Sequence, residues 1–304
     1  MKYMEIIRIL SEGLDAGQIK IDESMSKHTT FKIGGGADVF VMPRNAEQLN
    51  YIVKACRDTG LPYFLLGNGS NLLVSDKGIR GVVISFCDMN NIELLEDNRI
   101  YAGSGALLPQ VSKFAAKHSL RGLEFAEGIP GSVGGGVIMN AGAYEGEIAQ
   151  VFETAQIIDK ECQLRSVDNA GMNFSYRKSA AQTESHIITS VIFKLNFGDS
   201  GAIAEKMSRL RRQRTDKQPL NMPSAGSAFK RPPGRFAGKL IMDAGLRGFS
   251  IGAAQVSEKH CGFIVNTGGA TCADVIALIE HVRNVVNDKF GIMLEPEVKT
   301  VGEL

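Results

Sequence analysis

The stretch from Gly128 to Gly146, G-I-P-G-S-V-G-G-G-V-I-M-N-A-G-A-Y-E-G, places seven glycines in nineteen residues, with Ile129, Val133, Val137, Ile138 and Met139 between them. A flexible linker would be rich in Gly and Ser without these aliphatics. An ordinary helix is disfavoured too, because each interior glycine costs about 1 kcal/mol relative to alanine. Two readings remain. The glycines let a buried turn pack closely, or they let the backbone approach a flat or anionic ligand where a Cβ would collide.

A chain of 304 residues is long for one core, so two domains are expected. A net charge of +1 supplies no basic field and argues against nucleic acid as a partner. Cys56, Cys87, Cys162, Cys261 and Cys272 are scattered without a C-x-x-C pair, which speaks against a disulfide framework or a zinc site and fits reduced thiols. No H-E-x-x-H spacing offers a metal site either. The N-terminal apolar run is short and broken by acidic residues, unlike a signal peptide. No window reaches the roughly 18 apolar residues of a membrane span. The expectation is a cytoplasmic protein without membrane insertion.

Periodicity predicts a short helix around Ile6–Leu14, a strand ending at Pro43, and a helix from an Asn45 N-cap to Gly60. Strands are expected at Pro62–Leu66 and Val82–Ser85. Two hairpins are expected, Ile92–Leu95 with Arg99–Ala102 and Val151–Ile158 with Cys162–Val167. A helix follows over Leu107–His118, and an alternating strand over Ile187–Asn196. Beyond Phe197 come a helix over Ala202–Thr215, a loop rich in Pro and Gly, a helix near Phe236–Ala244, a strand at Cys261–Val265, a Thr271-capped helix to Phe290 and an extended end. This order predicts an α+β chain of two α+β domains meeting near residue 198.

None of the glycine clusters at Gly34–Gly36, Gly67–Gly69 and Gly128–Gly136 completes the G-x-G-x-x-G dinucleotide fingerprint. G-R-F-A-G-K-L at Gly234 fails as a P-loop, with one residue too few between its glycines and Leu240 where Ser or Thr is needed. Gly67, Asn68, Gly69, Ser70 and Asn71 could form a nest of backbone N–H groups, a hydroxyl and an amide for a pyrophosphate. A second nest over Gly131, Ser132, Gly134 and Gly135, rising into Val137–Asn140, could serve the other side of the same diphosphate and give apolar contact to a ring; Asn140, Ala141 and Gly142 complete the candidate cofactor-binding residues. The residues themselves say dinucleotide or nucleotide and go no further.

I-G-G-G-A-D, L-G-N-G-S-N-L-L-V and G-I-P-G-S-V-G-G-G-V-I-M-N-A-G-A-Y resemble the FAD-binding segments of the UDP-N-acetylenolpyruvoylglucosamine reductase family. The resemblance continues in order through S-Y-R-K-S, K-Q-P, P-S-A-G-S-A-F-K-R-P, A-G-L-R-G-F-S-I-G-A-A-Q-V-S-E-K-H-C-G-F-I-V-N and the closing L-E-P-E-V-K. It implies a two-part FAD-binding domain of the vanillyl-alcohol-oxidase type over 1–198. A smaller α+β substrate-binding domain would cover 199–304, its C-terminal strand returning to the active-site cleft. It further implies non-covalent FAD, NADPH as hydride donor and a UDP-sugar substrate. The reaction would reduce an enolpyruvyl ether to a lactyl ether, giving UDP-N-acetylmuramate for peptidoglycan.

Hydride addition at C3 of the enolpyruvyl group leaves carbanion character at C2, beside the carboxylate. That charge needs stabilisation, and C2 needs a proton. Ser227 matches the family's proton donor, Arg177 the arginine that grips the substrate carboxylate bidentately, and Glu297 the third catalytic residue, expected as a hydrogen-bond donor. Glu295 competes with Glu297, which is preferred because it directly precedes the valine of the last strand. Tyr176, Lys217 and Lys230 match substrate-contacting positions. Arg231 stands where part of the family has asparagine, and could contact the diphosphate. Arg214 is the candidate cation beside the flavin ring.

Only S-A-A-Q-T-E-S-H separates Lys178 from the strand at Ile187, too short for the tyrosine-bearing lid of one branch of the family. The chain therefore resembles the branch without that loop. Two rivals remain: a flavin oxidase of the same fold acting on another sugar or alcohol, and a nucleotide-sugar-binding protein without catalysis.

Overall fold

The computed structural model describes residues 2–303 and divides by contacts into two compact units. The first comprises Met1–Lys20, Val39–Asn68 and Val82–Arg214; the second comprises Ile21–Asp38, Gly69–Gly81 and Thr215–Leu304. This partition is interleaved along the chain, where the sequence suggested two consecutive stretches. Local bonding accounts for part of the interleaving. Thr30 Oγ1 donates to the Ser224 carbonyl at 2.7 Å and Asn266 Nδ2 donates to the Phe31 carbonyl at 3.1 Å, which binds the early segment into the second unit.

In the first unit an antiparallel sheet of five strands runs in the order Leu164–Asp168, Phe152–Ile158, Ile187–Lys194, Arg99–Gly103 and Ile92–Leu95. Both expected hairpins are present. Asp97 and Asn98 have φ of 54° and 58°, the paired positive values that a two-residue hairpin turn requires. In the second hairpin Asp159 Oδ1 accepts from the N–H groups of Glu161 and Gln163 at 2.9 and 2.8 Å, an Asp-centred turn. Alternate residues of the sheet pack with Val133, Val137, Leu108 and Val111 into one buried cluster. A second cluster gathers Leu49, Ile52, Val53 and Cys56 of the helix Ala46–Asp58 against Val82 and Ile84. Asn45 caps that helix, accepting from Gln48 N–H at 2.8 Å.

The second unit holds an antiparallel sheet ordered Ser224–Ser227, Phe263–Asn266, Ala254–Val256, Ser250–Ile251. It is packed by the helix Cys272–Phe290, capped as expected by Thr271, whose Oγ1 accepts from Asp274 N–H at 3.0 Å. Leu72–Val74, outside the expected strands, is a strand pairing in parallel with Lys299–Val301. The partners lie far apart in sequence, so no local pattern reveals the pairing. The cluster Gly34–Gly36 also proves to be close backbone packing. A Cβ on Gly35 would fall 2.3 Å from the Asp76 carbonyl oxygen, and one on Gly78 would fall 1.9 Å from that of Gly36.

The tightest approach in the first unit is at Gly105, whose Cβ would lie 1.7 Å from the Phe86 carbonyl oxygen. Its N–H donates to the Met89 carbonyl at 2.9 Å, so neither side can retreat cheaply. Gly105→Ala is expected to destabilise by about 1–3 kcal/mol, measurable as a lower urea midpoint with an unchanged slope.

Candidate active site

The glycine stretch forms a six-residue helix, Val133–Ile138, against the expectation from composition. The N–H groups of Val133 and Gly134 donate to the carbonyls of Ala106 and Ser104 at 2.8 and 2.9 Å, and that of Gly136 to Ser132 at 2.8 Å. Ser132 Oγ caps the helix, accepting from Gly135 N–H at 3.4 Å. Such anchoring offsets the glycine penalty, and close packing demands the glycines. A Cβ on Gly134 would fall 2.0 Å from Ser104 Oγ, and one on Gly136 2.9 Å from a Leu108 methyl. The expected nest therefore narrows, because the N–H groups of residues 133–136 are already engaged. Those of Gly131 and Ser132 have no protein partner among the described residues' hydrogen bonds.

The first glycine turn comes against the same place. A Cβ on Gly67 would fall 2.4 Å from Ser132 Oγ, and Asn68 Nδ2 donates to the Pro130 carbonyl at 2.5 Å. Beside this junction is a cavity of about 200 Å³ lined by Gly67, Asn68, Cys87, Asn90, Gly105, Leu107 and Gln110. It has room for part of a dinucleotide only, since pockets for larger ligands run to roughly 300–1,000 Å³. Cys87, Asn90, Gly105, Leu107 and Gln110 were not singled out from sequence. The G-S-G-A run at 103–106 was their one visible signal.

The other expected cofactor residues have varied settings. Gly69 has φ 60° and backs onto the His28 carbonyl, where a Cβ would lie 2.1 Å away. Ser70 is half-buried. Asn71 donates its amide to the Glu297 carbonyl at 3.2 Å. Asn140, with φ 40°, donates to the Ser175 carbonyl at 3.2 Å and accepts from Ala149 N–H at 3.0 Å. Ala141 N–H closes onto the Gly136 carbonyl at 2.7 Å, and Gly142 pairs with Glu147 in a small hairpin. Asn71 and Asn140 thus hold protein backbone with their side chains.

Arg177 lies at the third position of a tight turn whose ends, Ser175 and Lys178, exchange N–H···O bonds of 3.0 and 3.1 Å. Its φ of 57° is the value at which glycine is the ordinary occupant. Holding a non-glycine residue there costs about 1–2 kcal/mol. Its guanidinium carbon sits 5.3 Å from the centre of the exposed Tyr176 ring.

Ser227 and Glu297 occur together in the second unit. Glu297 N–H donates to the Ala228 carbonyl at 2.9 Å, Lys230 N–H to the Glu295 carbonyl at 2.8 Å, and Phe229 bridges Pro296. Ser227 is exposed, at the end of a strand bonded to Phe263. Glu295 forms an ion pair with Lys230. Lys217 is exposed at the end of the helix Ser200–Lys217. The Arg231 guanidinium stacks 4.0 Å from the centre of the Phe236 ring, itself 59% exposed.

The residues present fit the expected FAD. Two glycine turns meet at Ser132, whose Oγ a Cβ on Gly67 would strike, the N–H groups of Gly131 and Ser132 are left without a protein partner among the described residues, and a cation lies against the first residue of the glycine stretch. That cation is Arg214; a Cβ on Gly128 would be 2.6 Å from its Cδ. Its Nε is buried without a hydrogen-bond partner, and burial holds its guanidinium below the ordinary pKa range, with Tyr144 opposing. A buried donor left unpaired is a net cost that an anionic ligand would relieve. Arg214→Met is expected to leave the apoprotein's unfolding midpoint unchanged or higher, while weakening FAD binding about tenfold or more, read by titrating FAD against intrinsic flavin fluorescence.

The family model for the FAD binding domain matches residues 37–168, and the one described as UDP-N-acetylenolpyruvoylglucosamine reductase, C-terminal domain, matches residues 218–301. Among solved structures, the UDP-N-acetylenolpyruvylglucosamine reductase of Thermus caldophilus superposes with a TM-score of 0.81 at 34% identity, over 93% of this chain and 99% of that one. Alkyldihydroxyacetonephosphate synthase, at a TM-score of 0.50 and 17% identity over 64% of this chain and 44% of its own, shares the fold alone. The chain thus combines an FAD-binding domain of the vanillyl-alcohol-oxidase type with a second α+β domain. Curated proteins named UDP-N-acetylenolpyruvoylglucosamine reductase are 48% identical in Clostridium perfringens, over 99% of both chains, and 50% identical in Clostridium botulinum, over 99% of this chain and 98% of that one. With both domains and the whole length matched, this chain belongs to the UDP-N-acetylenolpyruvoylglucosamine reductase family.

Proposed function

We propose that the chain carries out its family's reaction, the NADPH-dependent reduction of UDP-N-acetylglucosamine enolpyruvate to UDP-N-acetylmuramate through FAD, with Arg177, Ser227 and Glu297 acting on the substrate. The full-length match to named reductases carries the reaction. Bound FAD would supply the hydride chemistry between NADPH and C3 of the enolpyruvyl group. Gly67, Asn68, Gly131 and Ser132, with Arg214, would hold it.

The remaining work falls to side chains. Arg177 grips the substrate carboxylate with its planar fork, keeping C2 in line for protonation. As hydride arrives at C3, electron density moves to C2 and into the carboxylate. Ser227 Oγ–H delivers its proton to C2 and is re-protonated from solvent. Glu297 hydrogen-bonds to the carboxylate as its enolate character develops. The pairing of residues 228–230 with 295–297 supports joint action by Ser227 and Glu297. Lys217, Lys230, Arg231 and Tyr176 are proposed to contact the UDP-sugar. For Lys230 this means exchanging Glu295 for substrate.

We also place the enzyme in the cytoplasm, on soluble substrates and without nucleic acid. Free thiols at all five cysteines support a reducing compartment. No helix among the described residues is long and apolar enough to cross a membrane.

Ser227→Ala is expected to lower turnover of the enolpyruvyl substrate by about 10²- to 10⁴-fold, while NADPH still bleaches the flavin in stopped-flow at the native rate. Turnover within a few-fold of native would remove Ser227 as the proton donor. Arg177→Gly separates grip from fold. Its thermal midpoint should hold or rise as backbone strain is released, while kcat/KM falls about 10²-fold.

A further inference from the structure

We infer that Asn140 and Ser179 are positioning residues for Arg177, fastening its turn to the end of the glycine helix. The inference rests on Arg177 as the carboxylate grip proposed above. Tyr176 is 63% exposed, and the two backbone bonds that close the turn say nothing about where it sits.

Two side-chain bonds fasten it, one on either side. Before the turn, Asn140 Nδ2 donates to the Ser175 carbonyl at 3.2 Å. After it, Ser179 Oγ donates to the Ile138 carbonyl at 3.0 Å. Both land on the same helix end, because Ile138 is the last residue of Val133–Ile138 and Asn140 follows two residues later.

Each residue shows signs of being placed for this. Asn140 is 2% exposed and sits at φ 40°, a conformation that asparagine tolerates better than most residues. The other end of its amide is fixed as well, with Oδ1 accepting from Ala149 N–H at 3.0 Å, so the side chain cannot swing. Ser179 is 1% exposed and occupies the N-cap position of the helix Ala180–Thr183, yet its side chain makes no cap bond there. It reaches instead to a carbonyl that lies in the last turn of the glycine helix and lacks an intrahelical partner. The residues that cradle the cofactor and the residue that grips the substrate are thereby held in one frame. Misplacement of a reacting group by about 1 Å can cost roughly 10²-fold in rate, so such a frame matters to catalysis.

Asn140→Asp isolates the contact, since it keeps the acceptor for Ala149 N–H and loses the donor to Ser175. Ser179→Ala removes the second fastening, and Ser179→Thr keeps the hydroxyl. The test is a double-mutant cycle on kcat/KM for the enolpyruvyl UDP-sugar, with Arg177 and Arg177→Ala as the two backgrounds and bound flavin measured in each variant. With Arg177 present, Asn140→Asp and Ser179→Ala should each lose about tenfold, mostly in KM, and Ser179→Thr should recover most of it. With Arg177→Ala, the same changes should cost less than about twofold, because nothing is left to position. Equal losses in both backgrounds, or losses that merely follow the flavin content, would overturn the inference and leave two ordinary structural hydrogen bonds. If Asn140→Asp does not fold, the Ser179 pair decides by the same criteria. Failure of the underlying reading looks different: Arg177→Ala alone would then leave kcat/KM within about twofold of native.

Discussion

The structure of the first unit depends on how the glycine helix is held. Val133 and Gly134 donate to the carbonyls of Ala106 and Ser104, and Leu108 donates back to the Gly131 carbonyl at 3.0 Å. These bonds set six residues of poor helix propensity against strand Arg99–Gly103 and helix Leu108–Lys117. Everything near the proposed cofactor site is referred to that position. Gly67 approaches through Ser132, Asn68 through Pro130, Arg214 through Gly128, and the Arg177 turn through Ile138 and Asn140. Side chains at Gly67 and Gly134 would push these parts asymmetrically, because a Cβ there meets Ser132 Oγ at 2.4 Å or Ser104 Oγ at 2.0 Å. The glycines therefore serve both readings open from sequence: close packing places the helix, and the close-packed helix leaves the cradle.

In the second unit the proposed catalytic residues are held by another device, strand pairing at long sequence separation. Residues 228–230 bond to 295–297, and Asn71 reaches the Glu297 carbonyl while the Lys299 N–H returns to the Asn71 carbonyl at 3.0 Å. Asn71, from the first third of the chain, and residues 228–230, from its last third, thus position Glu297 together. Backbone pairing of this kind tolerates changes of side chain, which suits a site where a residue such as Arg231 differs from part of the family.

Most elements were legible because their signals are local. Asn45 and Thr271 announce helix starts, and Asp97-Asn98 and Asp159-Lys160 announce hairpins. The helix Val133–Ile138 was not legible, since its stability comes from carbonyls of Ser104 and Ala106 that no propensity includes. The strand Leu72–Val74 was missed for a similar reason, its partner being Lys299–Val301. The site residues are proposed mainly on family resemblance. Residue chemistry alone gave a glycine-lined nucleotide cradle and no catalytic group. The roles of Asn71 and Asn140 show the limit, because an asparagine in a glycine-rich motif looks the same whether its amide faces a ligand or a backbone carbonyl.

The central claim is that a flavin held at the glycine cradle passes reducing equivalents from NADPH to an enolpyruvyl UDP-sugar. The most direct measurement is the visible spectrum of the purified protein without oxygen, recorded after NADPH and again after that substrate. The account predicts a flavin spectrum that NADPH bleaches and the substrate restores, with one lactyl ether formed per flavin reoxidised. A bleached flavin that the substrate leaves reduced, and that only oxygen restores, would contradict it and favour an oxidase on the same fold.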